Sequence, residues 1–198
     1  ADRDLRAGDW AARYRLTGVE LLGKTLGVVG IGRIGYRGAE LCHQGLNMPV
    51  LYYDIVSSPE AEQGHGAKRV ELDQLLETAD FVSIHLPLVP ATRGIINSQA
   101  LTRMKSSAYL INSSRGAVVD QAALIQALQQ GTIAGAGLDV FDPEPLPADN
   151  PLLQLDNVVV TPHMAAHTEE ALLRMAMVVE DVIAVLEGRS PKHPVLAG

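Results

Sequence analysis

The chain has 198 residues, of which 47% are hydrophobic and 20% charged, with a formal net charge of −7. That is the composition of an ordinary soluble globular protein with enough chain for one sizeable core. The acidic balance, without any run of basic residues, excludes nucleic acid and anionic membrane as expected partners and leaves small molecules or protein. Cys42 is the single cysteine, so no intrachain disulfide and no cluster of thiolate metal ligands can form, and no metal is expected. A reducing cytoplasm suits such a chain. The opening "ADRDLRAGDW" is charged and the apolar runs are strand-sized, so neither a signal peptide nor a membrane span is readable. The opening also lacks an initiator Met and a strand pattern, which predicts a piece of something longer.

In chain order, "KTLGVVG" (24–30) predicts a short buried strand ending in glycine, "RIGYRGAELCHQGL" a helix, and "VLYYD" (50–54) a second strand closed by a carboxylate. "AKRV" is a candidate further strand. "ELDQLLETAD" predicts a helix before the strand "FVSIHL", and "SQALTRMK" a helix before "AYLIN". "DQAALIQALQQG" reads as a helix with Asp120 as N-cap and Gly131 past its end, feeding the strand "IAGAGLDV". After the Pro-rich loop "DPEPLPADNP" comes the last strand, "NVVVT". Thr168 then opens one long amphipathic helix, with Glu169 and Glu170 in its first turn and Gly188 as its stop. Strands that alternate with helices and are almost continuously Val, Ile and Leu indicate an α/β, doubly wound parallel sheet covered on both faces.

"GIGRIG" places Gly30, Gly32 and Gly35 directly after a strand and at the opening of a helix, with Asp54 at the end of the next strand, nineteen positions beyond Gly35. In that context the glycines form a dinucleotide fingerprint of the Rossmann type. Gly30 permits the tight turn, Gly32 lets backbone N–H groups approach a pyrophosphate, Gly35 lets the helix pack close, and the helix N-terminus supplies a positive field. A carboxylate at Asp54 accepts from a ribose 2′-OH and repels a 2′-phosphate, and "DIVSSP" offers no neighbouring Arg, so NAD is the expected cofactor.

Ligands of open α/β sheets bind outside the carboxyl ends of the strands. Polar residues recur there: "HLP" (85–87), "NSSRG" (112–116), Asp139 and His163. One crevice would collect them. Within it, His163 can exchange a proton near neutral pH, Glu144 can orient it and stabilise its protonated form, and Arg115 can fork onto a carboxylate. Together they match interconversion of a 2-hydroxy acid and a 2-keto acid. Singly, each has a plainer reading: a hydrogen-bonded loop histidine, a solubilising glutamate in a Pro-rich turn, an arginine tying down carbonyls.

The ordered set "GKTLGVVGIGRIG", "YYDI", "VSIHLPLVPATRGIIN", "LINSSRGAVVD", "AGLDVFDPEPLP" and "VVVTPHMAAHT" closely resembles the D-isomer-specific 2-hydroxyacid dehydrogenase family over residues 17–187 or so. The resemblance implies that Arg115 binds the substrate carboxylate and carbonyl, that His163 is the acid/base and that Glu144 pairs with it. It places Arg33 and Ile34 at the pyrophosphate, Asp54 at the adenosine ribose, Pro87 and Thr92 along the cofactor cleft, Ser113 and Asp139 near the nicotinamide end, and Ala165 beside the ring. It implies a homodimer through the cofactor domain, to which the arm around Trp10, Arg13 and Tyr14 would contribute; Trp10 as a core anchor is the other reading. Relatives that oxidise formate usually carry Gln at the position of Glu144, which favours a hydroxy acid.

Two departures from the family pattern stand out. The separate substrate domain of the family is expected to be missing from this chain, which starts just before the cofactor domain. The expected division is an arm (1–16), a dinucleotide-binding domain (17–187) and a tail (188–198) that would return to a substrate domain. His167 occupies a position that is small in the family, close to the pocket mouth or interface and without a catalytic role. The competing function is a non-catalytic NAD-binding module like the corepressors that resemble the same family, although the partner-binding tails or basic stretches expected of those are not seen.

Overall fold

A computed structural model of the chain describes residues 1–194. The last four residues of the expected tail, 195–198, lie outside the described residues. Contacts divide the chain into two units, Ala1–Val160 and Thr161–Gly198.

The first unit holds a seven-stranded sheet: β1 (Leu26–Val29), β2 (Val50–Tyr53), β3 (Lys68–Arg69), β4 (Phe81–Ile84), β5 (Tyr109–Asn112), β6 (Gly135–Leu138) and β7 (Val158–Val160). The strands lie in the order β3-β2-β1-β4-β5-β6-β7 and every pairing is parallel. Successive residues of β1 serve opposite faces. Leu26 and Val28 join Ala39, Met48 and Tyr52 under one layer of helices, while Val29 joins Leu75, Val82 and Leu110 under the other. Gly27 has no side chain because a Cβ there would lie 2.5 Å from the Leu75 side chain. Burial on both faces explains why the strands read as unbroken apolar runs. The order of strands reverses between β1 and β4, the place where doubly wound sheets open a crevice at the strands' carboxyl ends.

The connecting helices are α2 (Arg33–Leu46), α3 (Pro59–His65), α4 (Leu72–Thr78), α5 (Ser98–Arg103) and α6 (Gln121–Gln129). The Asp120 side chain caps α6 by accepting from Ala123 N–H at 3.0 Å, and Gly131 follows with φ of 68°. The α3 helix has signals that the apolar pattern alone does not weigh: Ser58 accepts from Ala61 N–H, Pro59 takes the first position, and Gly66 ends it with φ of 61°. The arm forms a short helix α1 (Asp2–Arg6) and a 3-10 turn, Trp10–Tyr14, anchored by an Arg3–Asp156 ion pair at 2.6 Å. Trp10 is 67% exposed and is not a core anchor.

In the second unit the single helix expected from Thr168 onward is two, α7 (Glu169–Ala176) and α8 (Val178–Leu186). Thr168 is the N-cap as expected, accepting from Ala171 N–H at 3.1 Å. The break falls at Met177, whose N–H is shared between the Leu173 and Arg174 carbonyls at 3.2 Å each, and whose own carbonyl accepts from Glu180 N–H in a three-residue step. That local tightening precedes the β-branched pair Val178–Val179, which is stiff against the preceding turn.

Candidate functional site

At the carboxyl end of β1 the chain turns sharply through Gly30, with φ of 97°, and a Cβ there would meet the His85 backbone at 3.0 Å. A Cβ on Gly35 would lie 2.1 Å from the Gly30 carbonyl oxygen, so only glycine lets α2 approach this closely. Gly32 is the N-cap of α2, without a capping side chain, and the space beside it is open. Arg33 and Ile34 follow in the first turn and both are exposed. A fourteen-residue helix aimed at an open, uncapped glycine turn fits the requirements of a pyrophosphate: backbone donors, a positive dipole end and no Cβ in the way.

Asp54 follows β2. Its Oδ2 accepts from Ile31 N–H at 2.8 Å and its Oδ1 from Val56 N–H at 3.3 Å, so the carboxylate ties the glycine turn to its own turn. Although "DIVSSP" holds no arginine, the sheet brings one from β3. Arg69 donates to the Asp54 carbonyl from Nη2 at 2.9 Å and Nε at 3.2 Å, and to the Ile55 carbonyl at 3.1 Å.

After β4, His85 approaches Ser83 Oγ with Nε2 at 2.9 Å, and burial holds its imidazole below the ordinary value. The Thr92 hydroxyl donates to the Pro87 carbonyl at 2.6 Å and accepts from Val89 N–H at 2.9 Å, which closes the 87–92 loop on itself. The loop is held from the side by Gly94 N–H donating to Ala117 O and Ile96 N–H to Val118 O.

After β5, Asn112 is 1% exposed and organises the turn that presents Ser113 and Arg115, both of which are exposed. Its amide nitrogen donates to the Arg115 carbonyl at 3.0 Å, and its oxygen accepts from Ser114 N–H at 3.0 Å and Ser114 Oγ at 2.9 Å. After β6, Asp139 is buried and its N–H donates to the Asn112 carbonyl at 2.9 Å. Two residues on, Phe141 N–H donates to Glu144 Oε1 at 2.9 Å, which folds the glutamate back over its own turn. A Cβ on Gly116 would fall 1.9 Å from the Phe141 carbonyl oxygen, so the Arg115 turn and the Glu144 turn are packed backbone to backbone.

β7 ends at Val160, and His163 and Ala165 lie a few residues further along the chain, in the second unit. His163 has φ of 50°, one of two non-glycine residues with positive φ among the described residues. Such a conformation is uncommon for a residue with a side chain and concentrates at functional sites. His167 does not share it; its N–H donates to the Met164 carbonyl at 2.8 Å in an ordinary turn.

Residues 1–165 match the family described as D-isomer specific 2-hydroxyacid dehydrogenase, NAD binding domain. The chain belongs to that family. It is 47% identical over 197 residues to glyoxylate reductase of Korarchaeum cryptofilum, covering 98% of this chain and 59% of that protein. It is 46% identical to glyoxylate/hydroxypyruvate reductase B of Escherichia fergusonii, covering 96% of this chain and 59% of that protein. Among solved structures it is similar to D-lactate dehydrogenase with NAD+ from Lactobacillus jensenii, with a TM-score of 0.88, 33% identity, and cover of 99% of this chain and 61% of that one. The chain thus spans about six tenths of the length of these relatives.

As a member of this NAD-binding family, the chain takes NAD as its cofactor. Three residues at its strand ends escape a reading of motifs. Asn112 sits inside "NSSRG" and looks like one more polar loop residue, Gly116 looks like a generic turn glycine, and Arg69 lies fifteen positions from the carbonyl it holds. Only the pairing of β3 with β2 could have revealed Arg69.

Proposed function

We propose that the protein containing this chain is an NAD-dependent dehydrogenase that interconverts small 2-keto and 2-hydroxy acids. The observation that carries the proposal is the backbone packing of Gly116 on Phe141, which locks the turn of Arg115 against the turn of Glu144 at neighbouring strand ends. A cation and a carboxylate carried on packed turns at the same end of the sheet as a dinucleotide turn are the equipment this reaction needs.

Bound NADH supplies the hydride for reduction. Arg115 forks onto the carboxylate of the keto acid, orients the carbonyl and offsets the negative charge that grows on its oxygen. His163 holds the proton delivered to that oxygen, a role its left-handed backbone supports, since such conformations concentrate at functional sites. Glu144 is its acidic partner, stabilising the imidazolium. Gly30, Gly32, Arg33, Ile34 and Gly35 hold the pyrophosphate and Asp54 the adenosine ribose. Pro87 and Thr92 line the cleft, Ser113 and Asp139 serve the nicotinamide end, and Ala165 lies beside the ring. A separate substrate domain completes the enzyme, and the arm (1–16), cofactor domain (17–187) and tail (188–198) divide this chain as its sequence implies.

The names of the relatives point to glyoxylate or hydroxypyruvate as substrate. A homodimer through the cofactor domain is supported by exposed Trp10 and Tyr14 on the arm, 67% and 79% accessible. A reducing cytoplasm is the compartment that the lone cysteine favours. The test is a screen of the full-length protein with NADH against glyoxylate, hydroxypyruvate, pyruvate and longer 2-keto acids. Turnover of a two- or three-carbon keto acid supports the proposal. NADH binding without turnover of any acid would leave the non-catalytic NAD module as the answer.

A further inference from the structure

We infer that Arg69 is a second determinant of cofactor choice: it clamps the turn that carries Asp54, and it is the cation that takes a 2′-phosphate once the Asp54 charge is removed. The inference rests on the reading of Asp54 as the ribose acceptor.

β3 is an edge strand of two residues that pairs with β2 in parallel, with Arg69 opposite Tyr52, so it ends one residue short of the end of β2, after which Asp54 begins a turn. From there the guanidinium reaches past the strand and holds two successive carbonyls, those of Asp54 and Ile55. The Asp54 carboxylate is meanwhile held by the N–H groups of Ile31 and Val56. The turn is therefore gripped through its main chain by a cation and through its side chain by two amides. Releasing the guanidinium frees the backbone that aims the carboxylate.

The same geometry leaves an exposed guanidinium bonded only to neutral carbonyls in these contacts, one of them the carbonyl of the residue that decides between a 2′-OH and a 2′-phosphate. A charge-assisted bond to phosphate is stronger than a bond to a neutral carbonyl and suits the planar fork of arginine. While Asp54 is ionised, its charge repels the phosphate and the arginine serves the turn. Without that charge the arginine is available to the phosphate. Arg33, at the first position of α2, is the competing cation.

The test is calorimetric titration of the full-length protein with NADH and NADPH at one low salt concentration. Asp54→Asn removes the charge but keeps an oxygen for Ile31 N–H. It is expected to raise NADPH affinity by about tenfold or more, the effect of one new hydrogen bond to a charged group. Adding Arg69→Ala is expected to cancel that gain. In the otherwise native protein, where Arg69 serves the turn, Arg69→Ala is expected to weaken NADH severalfold. That second comparison stands even if Asp54→Asn disturbs the glycine turn. A gain that survives Arg69→Ala would assign the phosphate to Arg33 and overturn the inference while leaving the Asp54 reading intact, as would NADH affinity unchanged by Arg69→Ala. Native protein that binds NADPH as tightly as NADH would instead overturn the Asp54 reading, and the inference with it.

Discussion

The side-chain amide of Asn112 donates to the carbonyl oxygen of Arg115 at 3.0 Å, from a position that is 1% exposed. A buried amide that spends its donor on one end of a four-residue turn and its oxygen on the middle of it fixes where the guanidinium of Arg115 begins. Asn112→Ala should leave the Ser114 N–H unsatisfied and the Arg115 carbonyl with Val118 N–H as its remaining donor, and cost about 1–3 kcal/mol of stability. If Arg115 holds the substrate carboxylate, the same change should raise KM for the keto acid about tenfold while NADH affinity changes little. Steady-state kinetics with thermal melts would check both, and an unaltered KM would detach Asn112 from substrate binding.

Gly116→Ala tests the packing of the turns that carry Arg115 and Glu144. The added Cβ would lie 1.9 Å from the Phe141 carbonyl oxygen, and backbone cannot yield as a flexible side chain can. Overpacking of this kind typically costs about 1–3 kcal/mol. The expected result is a lower melting temperature together with a fall in kcat/KM. Melting unchanged by the substitution would contradict the packing.

Glu144→Gln separates structure from chemistry. The glutamine oxygen can still accept from Phe141 N–H, as Glu144 Oε1 does at 2.9 Å, so stability should stay within about 0.5 kcal/mol of the native protein. If the charge supports a protonated histidine, kcat for reduction should drop about a hundredfold, within the range of general acid catalysis. Equal rates for both proteins would remove Glu144 from the proton transfer.

The acid side of the stability profile should carry the signature of His85. Burial holds its imidazole below the ordinary value of 6.5, so between the two values the unfolded chain binds more protons than the folded one. Stability therefore rises with pH through this window. It should decline as pH falls below about 6.5 and level off only when the folded imidazole itself titrates. His85→Gln, able to keep a bond to Ser83 Oγ, should flatten that limb in denaturant melts taken between about pH 5 and 7. A slope identical to the native one would place the acid sensitivity elsewhere.

How far the fold was legible depends on which elements announce themselves by apolar period. Strands β1, β2, β4, β5, β6 and β7 are short, mostly apolar runs closed by a glycine or a polar residue, and all six appear where the pattern puts them. The α3 helix is polar, with two glutamates and a glutamine in seven residues, so period says little and only its cap and proline mark it. Met177 interrupts a continuous amphipathic pattern because the break is a matter of which carbonyl an N–H chooses, and a stripe of side chains cannot show that. At the site, Gly30 and Gly35 were readable because φ and close approach select glycine outright. Asn112 and Arg69 were not, since their roles lie in carbonyls that only the turn and the strand pairing bring within reach.

On the proposed mechanism His163, and not His167, moves the proton. The comparison of His163→Ala with His167→Ala in the full-length protein, as initial rates of NADH oxidation with the keto acid that the native protein turns over, tests this. His163→Ala is expected to lower kcat by about 10²–10⁴ with NADH binding retained, and His167→Ala to stay within a few fold of native. Comparable losses from both substitutions, or an active His163→Ala enzyme, would contradict it.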